Sequence, residues 1–304
     1  MKTQINSILI PTDFSELSES ALKVGLAIAK RQHAKITLLH VVDTYAHIQP
    51  TEVFLPEFQV TPDVISAINV RLNDLVERIN QETGIDITGT VVDGIPSDRI
   101  CLYARQKKIN LIVMGTHGIS GLRKFFLGSE AFKVIKNATC PVLTIPGNWQ
   151  KTDFEKVLFP VRLKPGALNK YFYAWPIIEK NNSEVTILGL ADQKRPEDIK
   201  EVTLLMDKLK VQLHNDNVLF RSSLCASEDF PATIINAAIE NETDLIILTA
   251  NIDYYFKTFF MGPFAQQVVN HSHLPVLSIK PSKSISKSPS SLELAQKWGK
   301  SVLK

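Results

Sequence analysis

Apolar positions in the first half of the chain alternate between two periods. Ser7–Ile10 is a short apolar run stopped by Pro11-Thr12-Asp13, which predicts a strand ending at a turn. Ser15 and Ser18 are helix-start residues, and Ala21, Leu22, Gly25, Leu26 and Ala29 then recur at helical spacing. Ile36–Val42 is apolar except for Thr37 and His40, the pattern of a strand buried on both faces. Residues 44–61 contain Pro50 and Pro56 and keep no period, so they predict a long loop. Val64, Ile68, Leu72, Leu75, Val76 and Ile79 mark one face of a long helix closing near Gly84. Ile85–Val92 predicts a third strand, and Pro96 opens a helix running to about Lys108. Leu111–Met114, a helix over Gly128–Asn137 and a strand over Pro141–Ile145 complete the series. This alternation predicts an α/β fold of parallel strands with crossover helices on both faces.

The second half repeats the order. Lys156–Val161 answers Ser7–Thr12, and Val185–Leu190 answers Ile36–Val41. Ile199–Leu213 is amphipathic, and Val218–Ser222, Ala232–Glu240 and Leu245–Leu248 follow. Shifting residues 110–145 by 134 lays them on 244–279 without a gap, and 11 of the 36 pairs are then identical. Leu111/Leu245, Phe125/Phe259, Gly128/Gly262 and Pro141/Pro275 are among them, more than chance supplies, so the chain holds an internal repeat. Two similar domains are expected at 1–147 and 154–280, divided near Gly147–Thr152. Residues 281–304 form a Ser-, Lys- and Pro-rich tail in which Leu292, Ala295, Trp298 and Val302 keep a helical spacing. That stretch reads as a short docking helix or as a partner or membrane-surface segment.

The length of 304 residues agrees with two domains. No apolar stretch approaches the ~20 residues of a membrane-spanning helix, so integral membrane association is not expected. The first residues lack the pattern of a secretory leader, and Cys101, Cys140 and Cys225 are odd in number and scattered. Reduced thiols and a cytoplasmic location are therefore expected. The net charge of +3 lives in the tail, where five lysines face Glu293, so the nearly neutral body gives no electrostatic case for nucleic acid.

The chemistry concentrates in two places. Gly115-Thr116-His117-Gly118 follows a predicted strand, and nine residues later Gly128-Ser129 opens a helix. Glycines let backbone N–H groups approach phosphate oxygens, and a helix start adds unpaired donors, so the segment suits an anion cradle. Neither the Walker nor the dinucleotide-binding glycine spacing fits it. Asp13 lies just past a strand's carboxyl end, where open α/β sheets bind ligands. It reads equally as an acceptor for an amine or ribose hydroxyl and as a cap for the helix near Ser15.

Pro11-Thr12-Asp13-Phe14-Ser15, Leu39-His40-Val41, Val92-x-Gly94-x-Pro96 and the G-x2-G-x9-G-S run together resemble the universal stress protein family. The first domain matches over nearly its full length and the second in outline, as in tandem members. The resemblance implies an open parallel sheet of order 3-2-1-4-5 in each domain. It implies ATP, or ADP or AMP, in the first domain, with Mg²⁺ as companion. Pro11, Thr12 and Asp13 would line adenine and ribose, and Val41 would meet adenine through its backbone. Met114, Gly115, His117 and Gly118 would wrap ribose and phosphates, which Gly128 and Ser129 would hold. His117 reads equally as a plain loop residue. Glu130, after the serine, is a departure: pointing inward it repels phosphate, pointing outward it decorates a helix start. The resemblance also implies that strands Pro141–Ile145 and Pro275–Ile279 join the domains as an internal pseudo-dimer. A further homodimer is compatible with it.

In the second domain Asp13 becomes Arg162, Gly115 becomes Thr249, Gly118 becomes Ile252 and Ser129 becomes Pro263. Isoleucine blocks close backbone approach and proline removes a donor, so no ATP is expected there. Arg123 and Lys124 read as a solvated loop, His271-Ser272-His273 as a turn rather than a zinc site, and the paired phenylalanines as packing. No nucleophile system or carboxylate pair stands out. The expected function is an ATP-binding stress-response regulator with one competent site. The alternatives are an interaction module with a vestigial site and a slow ATP-hydrolysing or nucleotide-cleaving enzyme.

Overall fold

The computed structural model describes residues 2–43, 61–116, 128–147, 149–164, 166–250 and 263–280. Five strands and four helices alternate in the first half: β1 (Ser7–Pro11), α1 (Glu16–Gln32), β2 (Lys35–Val42), α2 (Pro62–Thr83), β3 (Ile87–Asp93), α3 (Pro96–Gln106), β4 (Leu111–Gly115), α4 (Ser129–Asn137) and β5 (Val142–Ile145). The second half repeats them as β6 (Lys156–Val161), α5 (Lys170–Asn181), β7 (Glu184–Asp192), α6 (Asp198–Asn215), β8 (Phe220–Ser227), α7 (Phe230–Glu240), β9 (Leu245–Thr249), α8 (Pro263–His271) and β10 (Val276–Ile279). Residues 44–60 of the loop expected over 44–61, and the tail, lie outside the described residues.

All ten strands join one sheet in the order β3-β2-β1-β4-β5-β10-β9-β6-β7-β8. Each half has the order 3-2-1-4-5 and is parallel within itself, and the halves meet where β5 and β10 pair antiparallel. The register at that seam sets Leu143 opposite Leu277, with Thr144 opposite Val276 and Val142 opposite Ser278. These residues are related by the same shift of 134 that reveals the repeat, so a pseudo-twofold axis passes between the two leucines.

Burial explains the strand patterns. Ile8, Leu9 and Ile10 have no exposed surface, because helices cover both faces of the sheet. Burying each such side chain contributes about 2 kcal/mol. The apolar cluster under α1 and α5 contains residues of both halves, from Ile5 to Ile279. Helix α1 is capped by Ser15, whose side chain accepts from Ser18 N–H, and ends at His33 in the left-handed conformation.

Helix α5 carries Pro176 within it. A proline cannot donate to the carbonyl four residues back, which is that of Phe172. That carbonyl instead accepts from the N–H and hydroxyl of Thr3, at 3.2 and 3.0 Å. The chain's first residues thus dock on the second half. Lys2 pairs with Asp216 at 2.7 Å, and Gln32 Nε2 donates to Pro176 O at 2.5 Å.

Candidate functional site

The carboxyl ends of β1 and β4 splay apart at the switch in strand order, and a cavity of about 220 Å³ opens there. Pro11, Thr12 and Asp13 line it from the turn after β1, and Leu39 and Val41 from β2. Met114, Gly115 and Thr116 contribute from the end of β4, and Gly128, Ser129, Glu130 and Ala131 from the start of α4. The structure therefore brings together eight of the sequence-predicted residues: Pro11, Thr12, Asp13, Val41, Met114, Gly115, Gly128 and Ser129. His117 and Gly118 lie outside the described residues.

Local hydrogen bonds hold the walls. Thr12 N–H donates to Leu39 O at 2.9 Å, and His40 Nδ1 bonds Thr12 O at 2.9 Å. Burial holds the His40 imidazole below its ordinary range, which suits its neutral form. The turn itself is tight: Phe14 adopts φ 60°, Thr12 Oγ1 accepts its N–H at 3.1 Å, and its ring stacks on His40 at 4.8 Å. Asp13 Oδ1 accepts from both the N–H (3.1 Å) and the hydroxyl (2.5 Å) of Ser15. The aspartate both steadies the helix start and lines the cavity.

On the opposite wall, Gly128 N–H donates to Thr116 O at 2.7 Å, and Thr116 N–H to Ile145 O at 3.1 Å. These bonds place the start of α4 beside the end of β4. Gly128 is the N-cap of α4 and offers no side-chain acceptor to the first turn.

Glu130 resolves the departure noted in the sequence. Glu130 lines the cavity, and both its carboxylate oxygens are engaged, Oε2 by Ser97 N–H and Oε1 by Lys133 Nζ, each at 2.7 Å. Burial works to raise its pKa, but the hydrogen bonds from Lys133 and Ser97 prevail and hold it below its ordinary value. Sequence reasoning also missed Ser18, Ile100 and Ala131 as lining residues. Ser18 carries a weak signal, since a hydroxyl in the first helical turn faces the strand end. Ile100 carries none, because only the tertiary fold turns α3 toward the crevice.

The second half's equivalent crevice is nearly closed. A cavity of about 10 Å³ is lined by Pro160, Arg162, Lys164, Ala167, Lys170, Leu248 and Thr249. An offset of 149 residues superposes the left-handed helix ends His33 and Asn182, and it sets Lys170 where the first half has Ala21. Lys170 is 4% exposed, donates to Pro160 O at 2.5 Å and lies 4.4 Å from the Phe159 ring centre. Burial, helped by the Arg162 charge, pushes its pKa down to about 7. Lys170 thus brings a long side chain to the lining of the second-half cavity.

The remaining candidates fall into place. Burial pushes the thiols of Cys101 and Cys140 up, to about 11 and about 12, so both behave as core residues. Among the described residues no three His, Cys, Asp or Glu side chains gather as a metal site, and no helix is long and apolar enough to cross a membrane. Arg123, Lys124 and the paired phenylalanines lie outside the described residues, as does the His271 side chain.

Comparison with known proteins agrees with this architecture. The chain is 36% identical over 139 residues to the universal stress protein MJ0531 of Methanocaldococcus jannaschii, covering 45% of this chain and 80% of that one. It is 31% identical over 146 residues to the universal stress protein YxiE of Bacillus subtilis, covering 46% of this chain and 98% of that one. The crystal structure of a universal stress protein from Archaeoglobus fulgidus superposes over 92% of this chain and all of its own, with a TM-score of 0.72 at 19% identity, which is a likeness of fold. The universal stress protein family model matches residues 4–146 and again 154–280, and the chain, with its two repeats in one sheet, belongs to that family.

Proposed function

We propose that the protein is an adenine-nucleotide-binding stress-response regulator with one competent site, the crevice of the first half. The observation that supports it is the contrast between two equivalent strand ends. One opens a cavity of about 220 Å³ between a carboxylate turn and a helix start, and the other, with Lys170 in its lining, leaves about 10 Å³. Asp13 would accept from the ribose, the backbone of Val41 would meet the adenine edge, and Gly128 and Ser129 would receive phosphate at the N-terminus of α4. His117 and Gly118 belong to the same proposed cradle on the strength of the glycine spacing.

ATP is the ligand that the family resemblance puts first, with ADP and AMP beside it. The polar side chains lining the crevice carry oxygen donors, the class a hard cation takes. Mg²⁺ would enter on the phosphates, with the Ser129 hydroxyl the nearest suitable protein donor. The second half would act as a folding and pairing partner within the pseudo-dimer. The protein would act in the cytoplasm, by binding rather than by fast turnover.

Calorimetric titration of the whole chain with ATP and Mg²⁺ tests this reading. It expects saturation at one site per chain. The carboxylate of Glu130 on the wall favours a second reading, an interaction module whose site is vestigial. That reading expects neither heat nor thermal stabilisation.

A further inference from the structure

Two helices aim their N-termini at the crevice. Pro96, the first residue of α3, and Ser129, the first of α4, both line it. Two such ends side by side would favour a highly charged anion. Here one of them is already occupied. The N-cap of α3 is Ile95, which has no side-chain acceptor to offer. The acceptor comes instead from Glu130, whose carboxylate takes the Ser97 N–H at 2.7 Å.

The chain's own anion thus takes a helix-start donor beside the crevice. Lys133 pairs with that carboxylate at 2.7 Å, but it is absent from the described lining of the cavity while Glu130 is part of it. Each additional phosphate charge brought beside the Glu130 carboxylate meets its repulsion, whereas a ligand of low charge does not.

Resting on the adenine reading above, we propose that Glu130 is a specificity residue that makes the crevice prefer a nucleoside or nucleoside monophosphate over a free triphosphate. Replacing it by glutamine keeps an oxygen for Ser97 N–H and removes the charge. Replacing Lys133 by methionine leaves the carboxylate in place and strips its partner. The two variants therefore move triphosphate binding in opposite directions.

The test is titration of the full chain with adenosine, AMP and ATP, with and without Mg²⁺, for wild type, Glu130→Gln and Lys133→Met, with melting curves confirming the fold. The wild type is expected to bind AMP more tightly than metal-free ATP, and Mg²⁺ is expected to narrow the gap. Glu130→Gln is expected to tighten ATP about tenfold while AMP shifts much less, and Lys133→Met to weaken ATP more than AMP. Metal-free ATP bound as tightly as AMP by the wild type, or parallel shifts of the two ligands in Glu130→Gln, would overturn this inference and leave the adenine reading standing. Absence of binding by every adenine ligand to every variant would overturn both.

Discussion

Single residues set the shape of the crevice. Gly94 follows β3 at φ 128°, and its N–H donates to Val42 O at 3.0 Å. L-residues rarely adopt that φ, and an added Cβ would lie 2.6 Å from Arg99 Nε. The Arg99 side chain can swing away, so the cost is mainly conformational. Gly94→Ala is expected to destabilise by about 1–3 kcal/mol, read from denaturant midpoints. Asp13→Asn probes function at the same scale. The amide keeps an oxygen for Ser15 but loses the charge offered to a ribose. Nucleotide affinity is expected to fall roughly tenfold with little change in melting temperature. The sequence made such residues legible when the cause was local, as with Asp13 beside Ser15. The orientation of Glu130 was not legible, because its partner Ser97 is 33 residues away.

Whole elements were legible to the extent that burial wrote them. The long helix α2 shows a clear stripe and closes at Gly84 as the pattern predicts. Strand β8 runs to Ser227, whereas its apolar run ends at Ser222, because an edge strand pairs its backbone without burying its side chains. Helix α5 shows the opposite effect. Buried on most sides and interrupted by Pro176, it has no polar face to give it a period. Its Lys170 carries a pH prediction. The folded pKa of about 7 lies below the ordinary 10.5 of an unfolded chain. Between those values the unfolded chain holds a proton that the folded chain has released, so stability rises as pH climbs from about 7 toward 10.5. Below about 7 both states are protonated and the cost of the buried charge is fully present. Lys170→Met is expected to raise stability at pH 7 by about 1–2 kcal/mol and to flatten that rise. Urea unfolding across the range checks both.

At the scale of the molecule, the sheet and the apolar cluster beneath α1 and α5 are continuous across the two halves. One calorimetric transition is expected, with the van't Hoff and calorimetric enthalpies equal. Two resolved transitions would show that the seam does not couple the halves. Leu277→Ala, at a fully buried position on the pseudo-axis, is expected to cost about 3 kcal/mol and to keep the transition single. The repeat was legible from identities alone, but the meeting of the two edge strands was expected only through family likeness, and their antiparallel direction is seen only in the fold. The strand order within a half also came from that likeness, since crossover rules fix the handedness of each connection but neither the order of the strands nor the edge that joins the halves.

The two strands at the seam belong to one polypeptide, joined through the residues between β5 and β6. Dilution cannot separate covalently linked partners, and neither can exchange with another copy. If only one crevice binds and the chain pairs with no second copy, occupancy follows a simple hyperbola with a Hill coefficient of one, whatever the protein concentration. The molecule's dose–response then depends on ligand alone and carries no information about how much of the protein the cell has made.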